Sequence, residues 1–168
     1  MPEMPEELWA LEGAPKASDA KVQIGEHEAS ITNGKIKAVI NNIGKLFFYN
    51  QKGELLLEEY VRNREDMFAK TTSSLEVEAR EFKPIIGGDY QLTVRFESNP
   101  KEKLYGMGQY QLPFLDVKGA ELELAHRNSQ ASVPFVLSSL GYGFLWTNPG
   151  IGRVSFNKNI TTWEVASS

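Results

Sequence analysis

The side chains able to do acid–base or metal chemistry are few and scattered. Only two histidines occur, His27 and His126, far apart in the sequence, and there is no cysteine. A zinc centre needs several such donors at short spacing, so neither that chemistry nor any cofactor is expected. His27 lies between Glu26 and Glu28 in a strand-like run and reads as a solvated strand residue. His126 stands beside Arg127 in a polar loop, where it is placed to touch a ligand. No Gly-x-Ser-x-Gly elbow for a nucleophilic serine is present. Gly106-Met107-Gly108 lacks the third glycine and the following helix of a phosphate loop, and is read as a bend where a larger side chain would clash. The 22 acidic residues mostly alternate with apolar ones or sit in turns, where solvated charges belong. None has neighbours that mark it as a catalytic acid.

These residues must be held by strands. Tyr90, Leu92, Val94 and Phe96 alternate with Gln91, Thr93, Arg95 and Glu97, which puts apolar and polar side chains on opposite faces. Leu75, Val77 and Ala79 against Glu76, Glu78 and Arg80 repeat the pattern, and Gly87-Gly88 turns the two runs into a hairpin. Runs 24–31 and 35–40 flank Asn33-Gly34, a strong two-residue turn signal, and runs 47–49 and 54–57 flank Gln51-Lys52-Gly53. Further short runs follow at 121–124, 134–138, 142–146, 152–156 and 161–165. The segment 54–68 has some helical character but is read as a strand followed by a charged loop at 62–66. The region 104–134 is the least regular, and irregular segments on a rigid scaffold commonly carry binding. The expected fold is all-β, an antiparallel β-sandwich with little helix.

Composition narrows the partners. The net charge is −4, with basic and acidic residues interspersed, unlike the clustered cations that bind a phosphate backbone, so no nucleic acid is expected. No apolar run approaches the roughly 20 residues of a membrane span, so no membrane partner is expected either. Residues 1–20 are rich in Pro, Glu and Ala and lack the layout of a secretory signal. They are read as a loosely ordered lead-in before a single domain at 21–168. With no cysteine, a cytoplasmic location is expected.

The stretch Glu102-Lys103-Leu104-Tyr105-Gly106-Met107-Gly108-Gln109 resembles the segment opening the second half of the N-terminal domain of family 31 glycoside hydrolases, the α-glucosidase and α-xylosidase family. The order of the later segments strengthens the likeness. Lys118-Gly119 precedes a strand, then come Arg127-Asn128-Ser129-Gln130, the run Val133-Pro134-Phe135-Val136-Leu137-Ser138-Ser139, and Gly141-Tyr142-Gly143-Phe144-Leu145-Trp146 leading to Asn148. The likeness spans about 22–163. It implies a galactose-mutarotase-like sandwich packed on a (β/α)8 barrel, which would carry the two aspartates of a retaining mechanism. Those aspartates would lie beyond this sequence, so the chain alone is expected to hydrolyse no glycoside.

The resemblance also implies that a loop of the sandwich, here 126–132, reaches over the barrel mouth to an α-linked oligosaccharide or glycoside substrate. His126, Arg127, Asn128 and Gln130 are its candidate contacts, with Asn128 where some relatives carry an acid. Phe135, Tyr142, Phe144 and Trp146 are read as core or domain-interface residues. Trp163 is expected near the barrel, with an apolar patch exposed around it. Two alternatives remain open: a free-standing carbohydrate-binding or mutarotase-like sandwich, and a pure scaffold for the barrel.

Overall fold

The computed structural model describes residues 19–62, 76–148 and 150–167. Thirteen strands and no helix occur among them, in three antiparallel sheets, so the fold is the all-β antiparallel sandwich that the alternation implies. The first sheet is a meander of β1 (Lys21–Ile24), β2 (Glu28–Asn33), β3 (Ile36–Asn41), β4 (Leu46–Asn50) and β5 (Leu55–Glu58). Gly34, with φ of 57°, supplies the left-handed backbone that its hairpin turn requires. The run expected at 24–31 is broken by a turn at Gly25, whose N–H bonds Glu28 O at 2.8 Å, which places His27 exposed in that turn and not in a strand.

The second sheet has the order β6 (Arg80–Pro84), β7 (Tyr90–Glu97), β13 (Ile160–Ser167), β12 (Gly152–Phe156), β9 (Glu121–Leu124). The third has the order β11 (Gly143–Leu145), β10 (Ala131–Ser138), β8 (Leu104–Gln109). The strand expected at 75–79 is displaced onto 80–84. Beyond Val94 the free edge of β7 is taken by the extension of β5: Glu59 bridges Phe96, and Tyr60 N–H bonds Arg95 O at 2.9 Å. Val77 is left with a single bridge to Arg62. Of the charged loop expected at 62–66, only Arg62 lies within the described residues, and its guanidinium bonds Glu97 at 2.7 Å.

The core lies between the second and third sheets. Trp163, from the centre of the second, is 1% exposed. Its ring meets Phe144, Trp146 and Phe156 at centroid distances of 5.2, 5.6 and 5.8 Å. This corrects the expectation that Trp163 borders a missing barrel: β13 inserts between β7 and β12, so a residue late in the sequence becomes the middle of the core. Phe144 and Trp146 belong to the same cluster. Phe135 does not, and points outward.

The apolar face of the meander continues the inner face of the second sheet. Register places Val22, Ile31, Ala38, Phe48 and Leu57 in one cross-strand row, and Glu59 carries the same face onto Phe96. Leu57 packs on the core, while Val22 and Ile24 are exposed. At the junction Glu59 is fully buried. Its carboxylate accepts from Leu46 N at 2.9 Å and pairs with Arg80 Nε at 3.0 Å. Burial pushes its pKa up despite those partners.

The segment read as irregular around residue 106 is a strand, β8, with an unusual backbone. Gly106, Met107 and Gly108 have φ of 105°, 72° and 93°, and β10 carries two extra residues opposite them, between Ser132 and Val136. A Cβ on Gly108 would stand 2.2 Å from Ala131 O and one on Gly106 2.7 Å from Phe135 O. The glycines therefore allow the two strands to approach, and the bulge turns Met107 into the core, where it has no exposure.

Candidate functional site

The 126–132 loop joins β9 to β10 at the edge of the sandwich. Its tip is a tight turn: Arg127 and Gln130 exchange both backbone hydrogen bonds at 3.2 Å, leaving Asn128 and Ser129 at the apex. Three contacts hold its base. Gln130 Nε2 donates to Ala125 O at 3.1 Å. The Tyr110 hydroxyl donates to Glu123 O at 2.7 Å and shares a 2.8 Å hydrogen bond with Ser132 Oγ. Burial raises the Tyr110 phenol above its ordinary pKa.

The four residues singled out from sequence thus divide. His126 and Asn128 are exposed on the loop. Arg127 is exposed but engaged, its Nε donating to Glu123 Oε2 at 2.6 Å in a two-pronged pair. That hydrogen bond holds the Glu123 carboxyl below the usual range and raises Arg127. Gln130 is half-buried and braces the turn. Glu123, Tyr110 and Ser132 did not stand out from sequence. For Glu123 the signal was present: the alternation Glu121-Leu122-Glu123-Leu124 turns it outward, on the same strand that leads into Arg127.

Beside this pair the outer face of the second sheet forms a shallow groove of about 610 Å³, lined in part by Gln91, Glu121, Glu123, Arg153 and Glu164. Arg153 Nη1 pairs with Glu121 at 3.0 Å. The carboxylates nearest the loop are therefore matched by guanidinium groups, which suits hydrogen bonding to hydroxyls and not proton donation. Among the described residues no group of three or more His, Asp or Glu could hold a metal ion, and no helix is long and apolar enough to cross a membrane.

A second polar cluster lies inside the sandwich at the end of β10 remote from the loop. Glu102 is buried and accepts from Tyr142 Oη at 2.7 Å and from Ser138 Oγ, with Lys118 Nζ at 3.7 Å. Burial, then the Glu102 contact, pushes the Tyr142 phenol far up. The network ties the turn before β8 to the β10–β11 hairpin, so Tyr142 is architectural.

No family model matches the chain. It is 55% identical over 170 aligned residues to a protein of Pseudescherichia vulneris described as an uncharacterized family 31 glucosidase, covering 96% of this chain and 32% of that protein. Alpha-xylosidase A of Aspergillus niger is 30% identical over 82 residues, 49% of this chain and 11% of its own length. Among solved structures, a GH31 alpha-xylosidase from a soil metagenome, complexed with xylose, superposes with a TM-score of 0.89 at 55% identity. That match covers 99% of this chain and 26% of the xylosidase. The chain therefore spans about a third or less of the length of these relatives.

Proposed function

Since the chain is homologous over nearly its whole length to a segment of family 31 glycosidases, we propose that it is the non-catalytic N-terminal sandwich of such an enzyme. In this reading the sandwich packs on a catalytic (β/α)8 barrel, and its 126–132 loop contributes to the subsite for an α-linked glycoside. The observation that carries the reading is a rigid-based, polar-tipped hairpin. Tyr110, Ser132 and Gln130 fix the base, while Asn128 and His126 stand exposed at the end. Such a group acts on specificity because a sugar hydroxyl that loses its partner on binding is strongly disfavoured. Arg127, already engaged by Glu123, orients the tip and offers its remaining N–H donors. The xylosidase names among the relatives make α-xylosides the first substrates to test.

The test grafts this chain in place of the matching region of the Pseudescherichia vulneris relative and substitutes Asn128→Ala. The expected result is a drop in kcat/KM of about tenfold or more for the preferred aryl α-glycoside, with an unchanged melting temperature. An unchanged kcat/KM across α-xylosides and α-glucosides would remove the subsite role and leave the scaffold reading. Calorimetric titration of the isolated chain with α-linked oligosaccharides should show no binding; measurable affinity would favour a free-standing binding module.

A further inference from the structure

The two outer faces of the sandwich are built differently. On the second sheet the outward positions include Gln91, Glu81, Arg95, Glu164, Arg153, Glu123 and Glu121, with Thr93 buried among them and Ile151 exposed at the rim, so this face is predominantly charged. On the third sheet the outward positions are Tyr105, Val133, Phe135, Leu137 and Leu145, between 36% and 50% exposed. They are contiguous. Leu137 pairs with Tyr105 on one side and Gly143 on the other, and Phe135 pairs with Leu145. A Cβ on Gly143 would lie 2.8 Å from the Phe135 ring, so that ring fills the space a side chain at 143 would need. With Val136 and Phe144 in the core on its other side, this sheet is apolar on both faces. That is the composition of a middle layer, not of an outer one.

We infer that the outer face of the β8–β10–β11 sheet is the seat of the catalytic barrel of a larger family 31 chain. The inference rests on the function proposed above and specifies which surface carries the docking. The Pseudescherichia vulneris relative and the soil-metagenome xylosidase are covered to only 32% and 26% of their length, so most of such a protein lies outside the matched segment. Geometry favours this face over the exposed apolar end of the meander. The loop 126–132 runs directly into β10, and Val133 is the first large apolar residue of the patch after it. A body seated on Phe135 and Leu137 therefore lies along the strand into which the loop feeds. β1, by contrast, lies at the end of the first sheet remote from the junction with β7, whereas the loop leaves β9 at the opposite edge of the second.

The experiment compares the same substitutions in two settings: the isolated chain, and the chain grafted into the Pseudescherichia vulneris relative. The variants are Phe135→Ser with Leu137→Ser, Leu137→Ser alone as a milder change, and Arg153→Ser with Glu164→Ser as the control on the polar face. In the isolated chain the apolar-face variants should leave the melting temperature within a few degrees and reduce self-association in sedimentation. In the graft they should split the single thermal transition in two or lower it by several degrees, and the control should do neither.

Equal damage in both settings would make these residues part of the sandwich core and overturn the inference, as would no effect in either. A dimer of the isolated chain abolished by the variants, with an indifferent graft, would assign the face to a second copy and overturn it too. The Asn128→Ala result is independent: an unchanged kcat/KM beside an uncoupled Leu137→Ser graft would end the subsite role and leave the docking surface standing.

Discussion

The β7–β13 sandwich and the β1–β5 meander are written in the same alternating pattern, yet only one of them has a closed core. In the sandwich, Trp163, Phe156, Val154 and Met107 have at most 1% exposure, because a second sheet stands opposite. In the meander the corresponding face carries an apolar row that meets that core at the buried Glu59, but Ile24 and Val22 are largely exposed. Alternation decides which side chains share a face. Whether that face is buried depends on a partner layer drawn from elsewhere in the chain or from another body.

The sharpest test of this contrast is a pair of truncations. Trp163→Ala should cost about 3–5 kcal/mol in urea unfolding, whereas Ile24→Ala should stay within about 0.5 kcal/mol. Comparable losses would mean the meander is as closed as the sandwich. A smaller effect is expected from Glu102→Ala, which strands the Tyr142 and Ser138 hydroxyls inside the sandwich and should cost about 1–3 kcal/mol. Tyr142→Phe added to it should recover part of that loss, since it removes one orphaned donor.

The smallest effect concerns the seam between the two regions. Glu59 has its pKa raised by burial, so folding favours its protonated form. Its contribution is present at acid pH and is lost as pH rises above its ordinary value of 4.5. Glu59→Gln should therefore flatten the decline in stability between about pH 4 and 7. An unaltered pH profile would show that Arg80 and the Leu46 N–H fully offset the desolvation.

Much of the sandwich was legible in the sequence because its information is local. The strands at 90–97, 121–124 and 152–156 follow from period-two alternation with turn residues between them, and Gly34 and Gly53 mark the hairpins of the meander. What escaped was set at long range. The residues 76–79 alternate as well as any strand, but only Ala79 reaches β7, where its O accepts from Arg95 N at 2.8 Å, and the chain at 59–60 occupies the edge beyond it. The glycines at 106 and 108 were legible as places where a larger side chain would clash, but that they lie in a bulged strand was not, because the clash comes from Ala131 and Phe135. Trp163 was misplaced for the same reason, since nearness to the chain end says nothing about position in a sheet. At the candidate site the loop itself was legible from its polar run and its family likeness. Its supports were not, because Tyr110 and Glu123 meet it only after β8, β9 and β10 are assembled.

The central place of β13 also bears on how the protein is made. β7 ends at Glu97 and its inner neighbour begins at Ile160, a lag of about 60 residues. At a synthesis rate of ~5–20 residues per second this is about 3–12 s. During that interval β7 has left the ribosome with one edge unpaired and with Leu92, Val94 and Phe96 uncovered. A nascent chain in this state offers a template for strand addition by a neighbour, so slow translation of the 98–159 stretch should raise the yield of aggregates, and chaperone capture should be greatest just before Trp163 emerges.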